Sequence, residues 1–509
     1  MSRMINARKN IFSGIVIQII TSLFGFINRT VFIYCLGADF LGLSGLFTNI
    51  LSVLSLAELG IGDAITFALY RPLSKNDTHK ISILMSFYRK TYIVIGIIIF
   101  IIGICLIPFL KYIVNFDTKI DINYYYIYIL FLLNSVISYL FFSYRISLLN
   151  AAQKSYMLLP YNIFFTISLY ITQIIILIIF KNYYLYLLIP ICFEIMKNYT
   201  ISKRIKKEFS KIDFNIKDRL IDSERRSLIK NIYALSLTKI SSIIYSSSDN
   251  IIISIFISTT LVGYYTNYTM IIGIVTMCTN IIFSSLKASI GDLNVMVNNE
   301  HKKEVFDRIL FVNRWIYYFF SICLYELLNM FISLWVSTNY TLNDNVVLVI
   351  VFTFLIPGLN YTVSIFKDAC GLFWETRYRT LLTAIINIIS SIIFVHFLGI
   401  IGVFIGTILA YLLTIYTLDP VILYKKVFKI SSKEYYVTLL KSFTIYLIVF
   451  FIVHCICKYF MDITLLNLII RLVICCLVTN ILFWLIYHKC KEYTFYKDKV
   501  LENWILKNK

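Results

Sequence analysis

The chain has 509 residues, of which 59% are hydrophobic and only 15% are charged, whereas an ordinary soluble domain carries about 25% charged residues. Uninterrupted apolar runs of about 20 residues recur from end to end, and each is long enough to cross a bilayer as a helix. The composition therefore predicts an all-α polytopic membrane protein. A net charge of +20 would suggest a nucleic-acid partner in a soluble protein, but basic loops on one side of a membrane explain it better, so we expect none.

The apolar runs predict about 14 transmembrane helices. An even number of spans in each half keeps the two halves in the same orientation, so we predict two parallel six-helix repeats that form two lobes. The lobes are 1–202 and 231–424, a basic linker covers 203–230, and 425–509 holds two additional helices and a basic tail. In chain order the predicted spans are 11–35, 41–70, 91–113, 124–147, 157–180, 183–202, 231–257, 260–287, 312–336, 345–367, 379–398, 401–424, 438–460 and 464–488.

Lysine and arginine residues are distributed very unevenly between the two sides of this predicted bundle. The loops on one side, together with both termini, carry 40 of the 47 basic residues, and the opposite loops carry 4. Because basic loops are retained in the cytoplasm, both termini are predicted to be cytoplasmic. The basic start MSRMINARKN precedes a long run without a small-residue cleavage site, which predicts a first span rather than a cleaved signal peptide.

Two basic segments lie on the predicted cytoplasmic side. The segment 75–90 has Ile81, Leu84, Met85 and Tyr88 on one helical face, which predicts a helix that lies flat on the membrane. The linker 203–230 is either a solvated connection or a contact for anionic lipid headgroups.

The 11 cysteines give no sign of a cofactor or metal site. Most of them lie inside apolar runs, and their spacing fits neither a metal site nor a redox motif. We therefore expect buried, inert thiols and no metal, no cofactor and no catalytic residue.

The stretch from Gly25 to Ser74 has the most distinctive pattern in the chain. Two apolar runs meet there at a tight turn, LGADFLG. Arg29 lies inside the first run, and Glu58 and Asp63 lie inside the second. An ionisable side chain inside an apolar span is costly, so each of these residues is a candidate functional residue.

A weaker copy of this pattern follows 221 residues later, between Ser246 and Ile272. At this offset Gly42 aligns with Gly263, and Asn28 aligns with Asp249. The recurrence indicates that the two halves of the chain share one architecture.

Three stretches resemble the polysaccharide flippases, such as the O-antigen and capsule flippases of the multidrug/oligosaccharidyl-lipid/polysaccharide exporter superfamily. They are LGADFLGLSGLFTNILSVLSLAELGIGDAITFALYRPLS, LLNAAQKSYMLLP and SSSDNIIISIFISTTLVGYYTNYTMI. The resemblance covers nearly the whole chain. It implies a bacterial plasma-membrane protein that takes part in surface polysaccharide biosynthesis. Its expected activity is to carry an undecaprenyl-pyrophosphate-linked oligosaccharide from the inner to the outer leaflet by alternating access, without covalent chemistry.

Two charge pairs are predicted to gate such a cavity. Arg29 and Asp249 lie at similar depth in the outer half of the first and seventh spans, where an opposite-charge contact would close the outer gate. An entering pyrophosphate could compete with Asp249 for Arg29. Glu58 and Lys239 lie at matched depth in the inner half and are predicted to pair there. The alternative is that Arg29 reaches the outer headgroups and Asp249 caps a polar cluster of neighbouring serines.

Other ionisable residues in the spans are harder to place. Glu194, Glu326 and Arg471 lie in spans but have no partner in the repeat, and His396 and His454 lie near outer span ends, where a structural role is expected.

Other classes of function remain open at this stage. A cation-coupled multidrug exporter of the same superfamily would use Glu58 or Asp249 as an H⁺ or Na⁺ site. A membrane enzyme would need a sizeable external loop, and the longest predicted ones hold no more than ten residues. A purely structural scaffold would not need charges inside its spans.

Overall fold

The computed structural model of the chain is all-helical over the residues that it describes. Those residues are 2–58, 61–115, 123–216, 218, 220, 222, 225–226, 228–229, 232, 243, 247–296, 299–372, 375–376 and 378–498. The chain divides into two compact units, Met1–Thr266 and Asn267–Lys509. This division falls inside one helix, and the predicted lobe boundaries at 202 and 231 stay a prediction.

The first unit is built from seven labelled helices and the start of an eighth. They are α1 (Ser2–Leu36), α2 (Ala38–Leu54), α3 (Ile61–Ser74), α4 (Thr78–Leu106), α5 (Tyr124–Leu140), α6 (Leu159–Phe180), α7 (Tyr183–Glu208) and α8 (Thr259–Met296). Shorter helical turns occur at Ser55–Glu58, Ile107–Phe109, Leu110–Ile113, Ser143–Arg145, Ile146–Ala151 and Ser155–Leu158. Helix α8 crosses from the first unit into the second.

The second unit continues from α8 through seven further helices. They are α9 (Asn299–Trp335), α10 (Asp344–Leu359), α11 (Tyr361–Ala369), α12 (Arg379–Leu398), α13 (Ile400–Leu423), α14 (Lys433–Cys457) and α15 (Leu465–Tyr487). A short turn at Thr338–Tyr340 precedes α10, and a π-helical turn at Tyr424–Phe428 follows α13.

Short polar side chains begin several of these helices. Asp77 accepts a hydrogen bond from the Lys80 amide at the start of α4, and Asn182 accepts one from the Leu185 amide at the start of α7. Each cap satisfies an amide group that has no partner inside its helix. The caps therefore fix where the long apolar helices start.

Ten continuous helical segments in the described part of the chain are long and apolar enough to cross a membrane, and one of them joins α10 and α11. They coincide with ten of the predicted spans. The second predicted span coincides with α2 and α3 together, the fourth with α5, and the sixth with α7. The seventh, 231–257, falls largely on residues outside the described part of the chain, although 247–256 is helical. The prediction of an all-α, multi-pass membrane protein is confirmed.

The predicted second span, 41–70, is interrupted at Glu58. Helix α2 ends at Leu54, a single 3₁₀ turn covers Ser55–Glu58, and α3 begins at Ile61. The Ser55 hydroxyl donates to the Ser52 carbonyl at 2.6 Å, which tightens the chain at the end of α2. The break places the Glu58 carboxylate at the junction of two helices rather than in the middle of one.

The segment 75–90 does not form a separate helix at the membrane surface. It begins the continuous helix α4, and its apolar face is buried inside the protein, with Met85 fully buried and Tyr88 nearly so. The apolar face of this segment was correctly predicted. The prediction that this face contacts lipid was wrong, because an apolar helical face packs equally well against lipid or against other helices.

Candidate functional site

Two residues that are 221 positions apart meet where α2 contacts the start of α8. The Thr260 hydroxyl donates a hydrogen bond to Asp39 Oδ1 at 2.6 Å. Asp39 lies in the first turn of α2, directly after the tight turn from α1. The turn that the sequence singles out is therefore bonded to the equivalent place in the second repeat.

The aligned glycines Gly42 and Gly263 allow this close contact. A methyl group on Gly42 would overlap the Thr259 carbonyl oxygen and would lie 3.3 Å from the Gly263 amide nitrogen. A methyl group on Gly263 would overlap the Ala38 carbonyl oxygen and would lie 3.0 Å from the Gly42 amide nitrogen. Because the contacts are reciprocal, a local two-fold axis relates the two segments, and only glycine permits their backbones to come so near.

Arg29 lies beside this contact and is half-buried in α1. Its Nη2 donates to the Thr266 hydroxyl at 2.6 Å. The Thr266 hydroxyl in turn donates to the Gly263 carbonyl of its own helix at 2.8 Å. Tyr183 and Tyr186 on α7 also lie near the guanidinium. The cation is therefore held among hydroxyl groups.

Amide and phenol groups extend this polar cluster between α1, α6 and α7. Asn28 is buried, and its Nδ2 donates to the Tyr186 hydroxyl at 2.8 Å and to Gln173 Oε1 at 3.3 Å. The hydroxyl groups of Ser44 and Tyr183 lie 2.6 Å apart. Neutral donors and acceptors of this kind are the partners that sugar hydroxyls require.

Glu58 is held between two tyrosine hydroxyls. Tyr92 donates to Glu58 Oε1 at 2.5 Å, and Tyr139 donates to Oε2 at 3.1 Å. The ring of Tyr92 packs edge-on against those of Tyr88 and Tyr139, with centroids 4.4 Å and 5.7 Å away. We call these three residues and Glu58 the tyrosine clasp. It holds the carboxyl group of Glu58 between α2 and α3.

The predicted pairs stay predictions. Lys239 lies outside the described residues, so its proposed contact with Glu58 is not tested. Asp249 lies in the helical segment 247–256, is half-exposed, and interacts electrostatically with Tyr265 of α8. The side chain of Asp63 also lies outside the described part.

Arg145, near the end of the predicted span 124–147, is a buried cation. Its Nε donates to the Tyr144 hydroxyl at 3.1 Å, and Nη1 donates to the Ser202 hydroxyl on α7. The rings of Phe142 and Phe214 lie 4.9 Å and 4.5 Å from its guanidinium. The residue joins the end of α5 to α7 by hydrogen bonds and cation–π contacts.

A buried charge cluster in the second unit was also missed. Asp419 is fully buried in α13, accepts a hydrogen bond from Arg379 at the start of α12, and lies 3.5 Å from the Lys367 ammonium. Asp419 lies inside the predicted span 401–424. The criterion that selected Glu58, an ionisable residue inside a span, would have found it.

Glu194, Glu326 and Arg471, for which the sequence indicated no partner, form hydrogen bonds or ion pairs in the structure. His454 Nδ1 lies 2.8 Å from Glu326 Oε1, and Arg471 Nη1 donates to the Glu326 carbonyl at 3.1 Å. In the first unit, Glu194 accepts from Lys197 at 2.5 Å and from Asn198 at 3.0 Å on its own helix. These contacts fit the structural role that was expected for His454.

Solved structures with a similar fold are transporters. The lipid II flippase MurJ in an inward closed conformation aligns with a TM-score of 0.68 at 15% identity, covering 93% of this chain and 98% of that chain. An inward-facing multidrug resistance MATE family transporter of the MOP superfamily aligns with a TM-score of 0.59 at 15% identity, covering 77% and 91%. A mutant of the Vibrio cholerae MATE transporter VcmN aligns with a TM-score of 0.56 at 14% identity, covering 84% and 100%.

The chain has the fold of the MOP-superfamily transporters. No protein-family model matches the sequence, and no curated protein matches it. The MurJ alignment covers so much of the chain that it extends past residue 424, into the region of α14 and α15. The MOP fold serves both flippases and drug transporters, so the substrate has to be inferred from side chains.

Proposed function

We propose that this protein is a flippase that moves an undecaprenyl-pyrophosphate-linked oligosaccharide from the cytoplasmic to the outer leaflet by alternating access. It acts in a bacterial plasma membrane, with both termini in the cytoplasm, and serves the biosynthesis of a surface polysaccharide such as a capsule or O-antigen. Membrane lipids and the lipid-linked glycan are its partners, and the transport step uses no covalent chemistry.

The observation that carries this proposal is the arginine set among hydroxyl and amide groups. Arg29 presents a planar fork of donors that suits a pyrophosphate, and its neighbours Asn28, Gln173, Tyr183 and Tyr186 offer the hydrogen bonds that sugars need. A diphosphate that enters a low-dielectric space needs a cation to offset the loss of water. The similarity to a lipid II flippase over 93% of the chain supports a lipid-linked substrate.

A second candidate function is a cation-coupled multidrug exporter. It is favoured by the tyrosine clasp, because a carboxylate held by Tyr92 and Tyr139 could exchange a proton or Na⁺. The similarity to MATE transporters supports ion coupling in general. Coupling to H⁺ or Na⁺ is also compatible with the flippase.

A transport assay with both kinds of substrate separates the two functions. Purified protein in proteoliposomes would be given a lipid-linked oligosaccharide, whose exposure is followed with a membrane-impermeant glycan-modifying enzyme, and in parallel a cationic dye. We expect flipping of the oligosaccharide and no dye export. Dye export without flipping would contradict the flippase and support the exporter.

Substitution of Arg29 then tests the proposed site. Arg29→Ala should abolish flipping, and Arg29→Lys should lose much of it because the charge stays but the fork geometry is lost. Asp249→Asn should weaken the outer gate and leak outward. The matched control is Lys458→Gln, which removes an exposed positive charge from a short loop elsewhere. Wild-type flipping by Arg29→Ala at normal protein level would leave Arg29 as an interfacial anchor.

A further inference from the structure

A cavity of about 360 Å³ lies in the second unit where α9, α14 and α15 meet. Six of the 17 residues that line it are aromatic. The aromatic residues that line it include Phe311, Trp315, Tyr318, Tyr424, Phe483 and Tyr487. The cavity belongs to the second unit alone, and it includes none of the residues that surround Arg29.

Arg314 on α9 lines this cavity and is only 9% exposed. Its Nε and Nη2 atoms are buried and have no hydrogen-bond partner among the described residues. The ring of Tyr435, whose centroid lies 5.7 Å from the guanidinium, is its close neighbour. A buried guanidinium with unused donors is costly, since its lost hydration is not replaced. This cost is relieved if an anion occupies the cavity.

The acidic residues around the cavity do not supply that anion. Both Asp307 carboxylate oxygens accept from Lys303 at 2.6 Å, and Glu434 lies 3.9 Å from the same ammonium. Glu492 also lines the cavity. In the described part of the chain, none of these three carboxylates forms an ion pair with Arg314.

The position of the cavity indicates where the anion comes from. Its rim lies near the start of α9, the start of α14 and the end of α15, where exposed Lys441 adds its positive charge to those of Arg314 and Lys303. This is the end of the helices that carries the basic loops, which the distribution of lysine and arginine assigns to the cytoplasm. The phosphates of the inner leaflet are expected at this end of the helices, and the aromatic side chains of the cavity suit the apolar part of a lipid next to its headgroup.

We propose that this cavity binds the phosphate group of a glycerophospholipid of the inner leaflet, with the Arg314 fork on the phosphate oxygens. Arginine binds a phosphate with two parallel hydrogen bonds, which would use the Nε and Nη2 donors. The lipid would join α9 to the two additional helices α14 and α15. The same phosphate chemistry occurs in soluble phosphate compounds, so the test has to separate the two sources.

The test measures lipid retention by the full-length protein. Protein in detergent is mixed with phosphatidylglycerol, with diacylglycerol, which lacks the phosphate, or with glycerol phosphate, which lacks the chains, and bound mass is read by native mass spectrometry. We expect retention of phosphatidylglycerol and of neither analogue. Arg314→Gln should weaken retention about tenfold or more, as expected for loss of one charged contact, and Arg314→Lys should be intermediate.

Two further variants keep the proposal falsifiable. Thr438→Trp fills the mouth from an exposed position that lines the cavity and should displace the lipid even if Arg314→Gln fails to fold. Arg308→Gln on the same helix removes a cation that pairs with Glu304 and stacks on Phe495, and should leave retention within about twofold of wild type. Equal retention of diacylglycerol, no effect of either cavity variant, or equally tight binding of glycerol phosphate would each overturn the phospholipid site.

Discussion

His454 Nδ1 lies 2.8 Å from Glu326 Oε1, and this contact fastens α14 to a nearly buried carboxyl of α9. Arg471 of α15 donates to the backbone carbonyl of the same Glu326. The two helices that lie beyond the predicted twelve-span core are therefore attached through one residue of α9. They are integral to the second unit and are not an appendage to it.

His454→Leu should lower the stability of the protein by about 2 kcal/mol, because the buried Glu326 loses a hydrogen-bond partner. The buried thiols Cys323, Cys457 and Cys475 allow a simple measurement, since a thiol-reactive dye reports their exposure as the protein is heated. His488→Leu is the control, because His488 contacts its own helical turn, through the Leu485 carbonyl and the ring of Trp484. An unchanged midpoint for His454→Leu would refute the attachment.

Gly42→Ala should damage the protein more than an ordinary glycine substitution does. The added methyl group meets backbone atoms of α8 that cannot rotate away, so we expect a loss of about 1–3 kcal/mol or of folded protein altogether. Gly263→Ala should have a similar effect. Gly273→Ala on the same helix is the control, because nothing lies within 4 Å of its added methyl group. Folded yield and thermal midpoint would be compared across the set.

The tyrosine clasp should act as a unit in transport. Tyr92→Phe and Tyr139→Phe each remove one hydroxyl from Glu58, and each should slow transport without changing the amount of folded protein. Because both bonds end on the same carboxylate, the double variant should lose less than the sum of the two single losses. Tyr112→Phe, at an exposed position, should have no effect. Additive losses would show that the hydroxyls act separately.

A surface ion pair gives the protein one defined response to pH. The Lys154 ammonium donates to Glu208 Oε1 at 2.6 Å and lowers the pKa of that carboxyl. Because the folded-state pKa lies below the unfolded one of about 4.3, the pair stabilises the protein above that pH. The stabilisation is lost as the pH falls through the folded-state value. Since the pair is partly exposed, it contributes under about 1 kcal/mol.

The variant Lys154→Met tests the predicted direction of the pH dependence of stability. The variant should be slightly less stable than wild type at neutral pH, and the difference should disappear as the pH falls below the unfolded-state pKa of about 4.3, as measured by thermal unfolding. Lys203→Met removes an exposed charge from α7 and should leave the pH dependence unchanged. A difference that grows in acid would contradict the assignment of the shift to Lys154.

The predicted orientation can be checked with reporter fusions. The strong excess of basic residues on one side of the bundle requires a cytoplasmic signal from every fusion in a basic loop, and an external signal from fusions in the opposite loops. Cytoplasmic signals are expected after Lys75, Lys211, Lys302 and Lys497, and external signals near Asp117 and Asn339. An external signal at Lys211 would contradict the arrangement of two parallel halves.

Apolar length predicted most of the helices from the sequence. Hydropathy locates spans well because each one must satisfy its own backbone hydrogen bonds. The break at Glu58 was not predicted, because the apolar run 41–70, with only a few polar residues, is typical of a single long helix. The burial of α4's first turns was not predicted either, since amphipathicity does not identify the surface that an apolar face packs against.

The side-chain contacts were less predictable than the helices. Matched depth suggested Lys239 for Glu58, yet the described partners of Glu58 are Tyr92 and Tyr139. Among 39 tyrosines, nothing in the sequence distinguishes two that reach a carboxylate from those that form an interfacial belt. Arg314 was likewise counted with the basic residues of a loop. A shift of one helical turn is enough to change a solvated arginine into a buried one, and the sequence does not locate the end of a span that closely.

The bond between Asp39 and Thr260 has the form of a contact at the axis of a symmetric dimer, where each residue meets its own copy. In two identical chains, an aspartate at this place would face another aspartate, and one of the two would have to keep a proton. In a fused chain, each copy can change without the other. A carboxylate that accepts from a hydroxyl needs no shared proton. Joining the two halves in one polypeptide therefore permits a charged residue on one side, and a neutral one on the other, at the centre of an otherwise symmetric contact. Such a contact could not form between two separate, identical subunits.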